Sequence, residues 1–254
     1  MIADSETRKL PIALVVRRGF LFAWESRAVL WLPYALYTAV TVLANVALLV
    51  VAGPADSPAA YAVNGAEEVF AMAFAVGIHR YVLSAEAPPG AAFFRWDRNF
   101  AHYVLMALLL FVIAILLMII AQQAASRSSP ELSLLVLVAF PLVAVSLCRL
   151  SLLLPAAALG DPVTALMLWT RTRNNGLRLL AVNLIAVAPF LVVEGLLILS
   201  DASPPGAPEP SAASVMDFLA TIAIGLITPV QLIVVTIILA LEYDLLVRGG
   251  GPGR

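Results

Sequence analysis

The chain has 254 residues, 62% of them hydrophobic and 12% charged, with a formal net charge of −1 and a mean hydropathy of +0.99. This composition leaves no room for a sizeable water-soluble domain and makes a bilayer the expected solvent. One cysteine and two histidines exclude an internal disulfide and give no basis for a structural metal or a metal cofactor. The charge balance likewise argues against nucleic acid as a partner.

In chain order, residues 10–27 are expected to form an interfacial helix. The apolar run at 10–16 is too short, and the first strong apolar segment too long, for a signal-peptide core, so no cleavage is expected. Six apolar stretches follow at 29–52, 66–84, 103–121, 132–149, 178–199 and 216–241. Each is close to the about 20 residues needed to cross a hydrocarbon core of roughly 30 Å. The fold class expected is therefore an all-α, integral membrane six-helix bundle forming a single transmembrane domain over 1–254.

Fourteen of the 15 lysines and arginines fall on one side of that arrangement. They lie in the N-terminal segment (Arg8, Lys9, Arg17, Arg18, Arg27), the second-to-third loop (Arg80, Arg95, Arg98), the fourth-to-fifth loop (Arg149, Arg171, Arg173, Arg178) and the tail (Arg248, Arg254). Only Arg127 falls on the other side. The bias places both termini in the cytoplasm. The arginine-rich, alanine-rich composition suits a GC-rich bacterial genome, hence an inner-membrane location. The opposite loops, 53–58 and the proline-rich 203–214, read as short connectors that cannot fold alone.

A weak threefold repeat is superposed on this pattern. Trp24, Trp96 and Trp169 each stand just before a cation and a span, so a unit of one interfacial helix (10–27, 90–100, 161–174) plus a two-span hairpin is expected. Tryptophan favours the headgroup boundary, where an arginine can extend into water, so anchoring alone accounts for the motif, with a shared cytoplasmic ligand surface as the alternative. In the third unit, Gly160-Asp161-Pro162 reads as a helix start, with Asp161 as cap and Pro162 at the first helical position. Asn174-Asn175-Gly176 reads as its stop.

The stretch Leu154-Pro155-Ala156-Ala157-Ala158-Leu159-Gly160-Asp161-Pro162, followed by Ala165, Trp169-Thr170-Arg171 and Asn174 or Asn175, resembles uncharacterised bacterial six-span proteins related to the membrane domain of glycerophosphoryl diester phosphodiesterases. The resemblance implies a membrane module without the separate soluble catalytic domain that active members carry. It brings no settled biochemical activity with it.

The candidate lipid- or phosphate-binding residues are Arg80, Arg95, Arg98, Arg149, Arg171, Arg173 and Arg178. Their planar guanidiniums suit phosphate oxygens, although positive-inside anchoring requires such residues anyway. Arg80 and Arg149 occupy similar places at the ends of even-numbered spans, with Asp97 and Asp161 as expected partners. Glu194 stands as the acid well inside a span, sharing the membrane with Asn183 and following Pro189. That arrangement suggests proton-coupled transport, or simple pairing. His79 and His102 are expected near the inner surface, which suits an interface better than bis-histidine haem. Ala73 and Gly77, four apart, suggest close helix packing. The sequence has no P-loop, no zinc-protease helix and no paired carboxylates in one loop.

The reading that results is a scaffold or accessory module that binds membrane lipids or a membrane-protein partner through a basic cytoplasmic face. Its alternatives are a small secondary transporter using Glu194 and Asn183, and an interfacial phospholipid enzyme.

Overall fold

The structure, a computed structural model, describes residues 9–50, 57–84, 93–126, 130–201 and 215–249. Among them are nine α-helices and no strand: α1 Ile12–Glu25, α2 Arg27–Val50, α3 Pro58–Ser84, α4 Arg98–Ser126, α5 Pro130–Leu150, α6 Leu153–Leu159, α7 Ala165–Arg171, α8 Gly176–Asp201 and α9 Val215–Tyr243. A π-helical turn, Asp244–Arg248, extends α9. The helix starts follow from local chemistry. Ser57 accepts the Ala60 N–H at 3.1 Å ahead of Pro58, whose missing N–H costs nothing at the first helical position. Asp97 accepts the Phe100 N–H at 2.9 Å to open α4. Between α1 and α2 only Ser26 departs from helix, and its N–H still bonds Phe22 at 2.9 Å, so the two helices form an elbow.

Helix α9 is the hub, packing against α1, α2, α3 and α8. Glycines set two of these approaches. A Cβ on Gly19 of α1 would lie 2.3 Å from Cγ1 of Ile238, and one on Gly225 would lie 2.8 Å from Cγ2 of Val42 on α2. Helices in lipid gain little by hiding apolar surface from one another, so close van der Waals contact of this kind is what holds them. An aromatic cluster fills the space between α2, α3 and the segment before α4, with Tyr37, Phe74 and Phe93 buried and the Phe74 ring 5.0 Å from Tyr37 and 5.8 Å from Phe93. The outward face of α4, including Leu105, Leu109, Phe111 and Leu116, is exposed hydrocarbon. Water would not solvate such a surface, and a bilayer does.

Among the described residues, five helical stretches are long and apolar enough to cross a membrane: Arg27–Leu48, Arg98–Ile120, Ala139–Leu159, Gly176–Leu197 and Ile222–Arg248. The expected span at 66–84 is not among them. It lies on α3, a continuous 27-residue helix that carries Glu67, Glu68, His79 and Arg80. Residues 73–80 of this helix are buried by the rest of the bundle, so protein rather than lipid surrounds them and no uniformly apolar surface is needed.

Two other local expectations change. Of the 90–100 segment, residues 93–100 are described; 93–97 are not α-helical, and helix begins only at Arg98. In the third unit the helix starts at Ala165 rather than Asp161, because Thr164 is the cap, its hydroxyl accepting the Met167 N–H. The three tryptophan segments thus take different forms: a 14-residue helix, an irregular stretch and a seven-residue helix. Residues 53–56 of the connector expected at 53–58 and the whole of that expected at 203–214, together with Arg8, Arg127 and Arg254, lie outside the described residues.

Candidate functional site

The starts of α2, α4 and α8 and the ends of α3, α5 and α9 meet with α1, α6 and α7 at one end of the bundle, where most of the arginines converge. Arg80, 9% exposed, is the centre of one brace. Its Nη2 donates to both carboxylate oxygens of Asp97 at 2.8 Å, and its Nε donates to the Ala158 carbonyl at 3.0 Å. That carbonyl belongs to the last turn of α6, where intrahelical donors have run out. One ion pair therefore joins α3, α4 and α6. Burial would raise the Asp97 carboxyl, but the Arg80 guanidinium and the Phe100 and Asn99 N–H groups outweigh it and hold the carboxyl below its ordinary value.

Gly160 closes α6 in the left-handed region at φ 75°. The Asp161 N–H bonds Ala156 at 2.9 Å and the Gly160 N–H bonds Ala157 at 3.2 Å, the double bond of a Schellman ending. The turn delivers Asp161 to the end of α9, where Tyr243 donates its hydroxyl proton to Oδ2 at 2.8 Å and Arg248 lies 3.8 Å away. Arg248 also donates to the Leu83 carbonyl at 3.0 Å, and Arg171 donates to the Val247 carbonyl. The π-helical turn is thereby tied to α3, to α7 and to the α6–α7 connection.

A third brace holds the N-terminal segment. Leu10, 1% exposed, donates its N–H to Oδ1 of Asn175 at 2.7 Å and accepts at its carbonyl from Arg178 at 2.8 Å. Arg149, half-buried, lies 4.5 Å over the Trp169 ring and donates to the Arg173 carbonyl at 2.9 Å. A Cβ on Gly176 would sit 2.7 Å from its guanidinium, so that glycine is what lets Arg149 lie across the start of α8.

Of the seven candidate arginines, Arg80, Arg149, Arg171 and Arg178 donate to acceptors of the protein itself, and Arg95, Arg98, Arg171 and Arg173 are exposed. Asp97 meets Arg80, while Asp161 meets Tyr243 and Arg248 rather than Arg149. Asn183 and Glu194 do not come together. Eleven residues of α8 separate them, about 16 Å of helix. Asn183 instead lies 3.4 to 3.5 Å from the carboxylate of Glu242, which is 0% exposed. Glu194 is half-buried.

Sequence reasoning missed Glu242 because it stands one residue past the expected end of the last span, where a polar tail was assumed. Its position directly after the apolar run 232–241, interrupted by Thr236 alone, was the available signal. His79 was expected at an interface and is instead 0% exposed, with neither ring nitrogen hydrogen-bonded among the described residues and the Tyr103 ring 5.8 Å away. His102 is exposed. No group of three or more potential metal-ligating side chains occurs among the described residues. The chain matches no protein-family model, and no curated protein or solved structure is similar to it.

Proposed function

We propose that the protein is a bacterial inner-membrane module that crosses the bilayer six times with both termini in the cytoplasm and associates with lipid or a membrane partner without catalysing a reaction. The observation that carries this reading is the set of exposed indoles at the braced end: Trp24, Trp96 and Trp169 are 67%, 57% and 44% exposed. Exposed arginines stand close by in sequence, Arg95 and Arg98 around Trp96 and Arg173 after Trp169. Indoles at the headgroup boundary beside guanidiniums that reach phosphate are a lipid-facing surface. The threefold repeat belongs to the same proposal, its support being the common placement of these three segments at one end. So does kinship with the glycerophosphodiesterase-type membrane domain, supported by the run that forms α6 and its Schellman turn.

Native mass spectrometry of the protein extracted with its own lipids tests the reading. Replacing Arg98 and Arg173 together by Gln is expected to reduce retained phospholipid severalfold. Unchanged retention would overturn the basic-face assignment.

The transporter alternative draws its support from a different acid than the one first expected. Glu242 is enclosed beside Asn183, as an intramembrane carboxylate in a transport path would be. Loss of proton-dependent uptake in Glu242→Gln, with Glu194→Gln unaffected, would favour it.

A further inference from the structure

The elbow between α1 and α2 encloses, with α8 and α9, a groove of about 400 Å³. Trp24 and Arg27 stand at one end, Tyr34 at the other, Trp31 along the side, and Phe190 and Val230 form the wall from α8 and α9. Apart from Arg27 the wall carries no charged residue. Trp24 and Trp31 are 67% and 65% exposed, so the groove opens to the outside of the bundle between two indoles. Arg27 is held at the mouth, 4.5 Å over the Trp24 ring and donating through Nη1 to the Trp24 carbonyl at 2.8 Å. That bond uses one of its five donors. The Tyr34 hydroxyl is directed to the Leu226 carbonyl at 3.4 Å, so the far end offers a ligand little polar chemistry.

We propose that this groove binds one acyl chain of an anionic phospholipid, with the lipid phosphate on Arg27. The inference rests on the lipid-binding reading above and gives it a separate site. Along α2 the lining runs from Arg27 to Tyr34, about 10 Å of helix, roughly two-thirds of the ~15 Å depth of one leaflet's hydrocarbon. The groove is therefore aligned with a chain that descends from a headgroup at the Arg27 level. A partner helix does not fit, since a cylinder about 10 Å wide and 10 Å long needs about 800 Å³. A headgroup with net negative charge complements the one cation in the lining.

Moving an acyl chain from bilayer to groove exchanges one hydrocarbon environment for another, so the apolar wall confers occupancy but little selectivity. Selectivity comes from Arg27. A guanidinium near anionic lipid gives a preference of about fivefold, equivalent to about 1 kcal/mol.

The test uses the full chain in vesicles of phosphatidylglycerol and phosphatidylcholine in which one or the other lipid carries brominated acyl chains, with tryptophan quenching as the readout. Trp31→Phe identifies the part of the signal that comes from the groove. The wild type is expected to show preferential quenching by brominated phosphatidylglycerol. Arg27→Gln should lower that preference about fivefold, and Val230→Trp, which fills the groove, should remove the lipid preference from the part of the signal that Trp31→Phe deletes, leaving the equal quenching by both lipids that the exposed Trp31 ring undergoes outside the groove. If Arg27→Gln leaves the preference unchanged, the site is refuted. Because Arg27 is exposed, this variant decides the matter even where Val230→Trp does not fold. If Arg27→Gln has no effect but replacing Arg98 and Arg173 lowers lipid retention, the groove fails while the basic-face reading stands. If neither change matters, both fail.

Discussion

Removing the Asp97 carboxylate withdraws two supports at once. Asp97 caps α4 through the Phe100 N–H, and loss of such a cap costs about 1 kcal/mol. It also neutralises Arg80, whose side chain is 10% exposed against 46% for Asp97. Breaking a buried pair by deleting one partner costs about 3–5 kcal/mol, but water can enter from the Asp97 side, so about 2 kcal/mol is the expected share here. Asp97→Ala should therefore destabilise the protein by about 3 kcal/mol. Asp97→Asn keeps the cap and one acceptor and should cost about 1–2 kcal/mol. In an Arg80→Met background, Asp97→Ala should cost only the cap, about 1 kcal/mol.

Denaturant unfolding in detergent micelles, followed by helical circular dichroism, measures all of these. Equal costs of Asp97→Ala in both backgrounds would refute the brace. The pH dependence has a definite sign. The Asp97 carboxyl is held below its ordinary value, so its stabilisation is fully present above the unfolded-state value, near 3.9, and is lost as pH falls through the lower folded-state value. The stability gap between wild type and Asp97→Asn should close below about pH 4.

Other outcomes follow from packing. Gly19→Ala forces a Cβ against Ile238 and should destabilise by about 1–3 kcal/mol, whereas Gly65→Ala, with nothing within 4 Å of its Cβ, should stabilise by up to about 1 kcal/mol. Equal effects in the same unfolding assay would exclude the close α1–α9 approach. Asn175→Ala leaves the buried Leu10 N–H without its acceptor and should cost about 1–3 kcal/mol, with hydrogen exchange at residues 9–12 rising while exchange in α9 is unchanged.

The all-helical, membrane-compatible shape was legible because helix length and apolar runs respond directly to a bilayer. The 27-residue α3 shows where that logic stops. Hydropathy measures what a helix would meet in lipid, and residues 73–80 meet protein, so their polarity carries no information about whether the segment crosses. The close packing expected from Ala73 and Gly77 was read as helix against helix. The Gly77 neighbour is instead the Phe93 ring, whose Cε1 would lie 2.3 Å from an added Cβ. A small residue announces that something approaches closely, not what approaches.

The arginines illustrate the same limit. Composition places Arg80 and Arg98 in one class, and only tertiary structure separates the buried Arg80, bonded to Asp97, from the exposed Arg98. Asp161 misled for a related reason. An aspartate before a proline is a good helix cap, but the left-handed Gly160 turns it toward Tyr243, and Thr164 caps instead.

The clamp on Leu10 has a temporal consequence. Its two partners lie 165 and 168 residues further along the chain, and the Ile238 surface that receives Gly19 lies later still. At about 5–20 residues per second, this segment waits on the order of 10–30 seconds before its seat exists. During that interval α1 has no intramolecular partner for Val15 and Gly19, the face it eventually buries, and the membrane surface is the apolar phase within its reach. Helix α1 is thus seated only after most of the bundle has been made, and a ribosome stalled before α8 would leave it stranded.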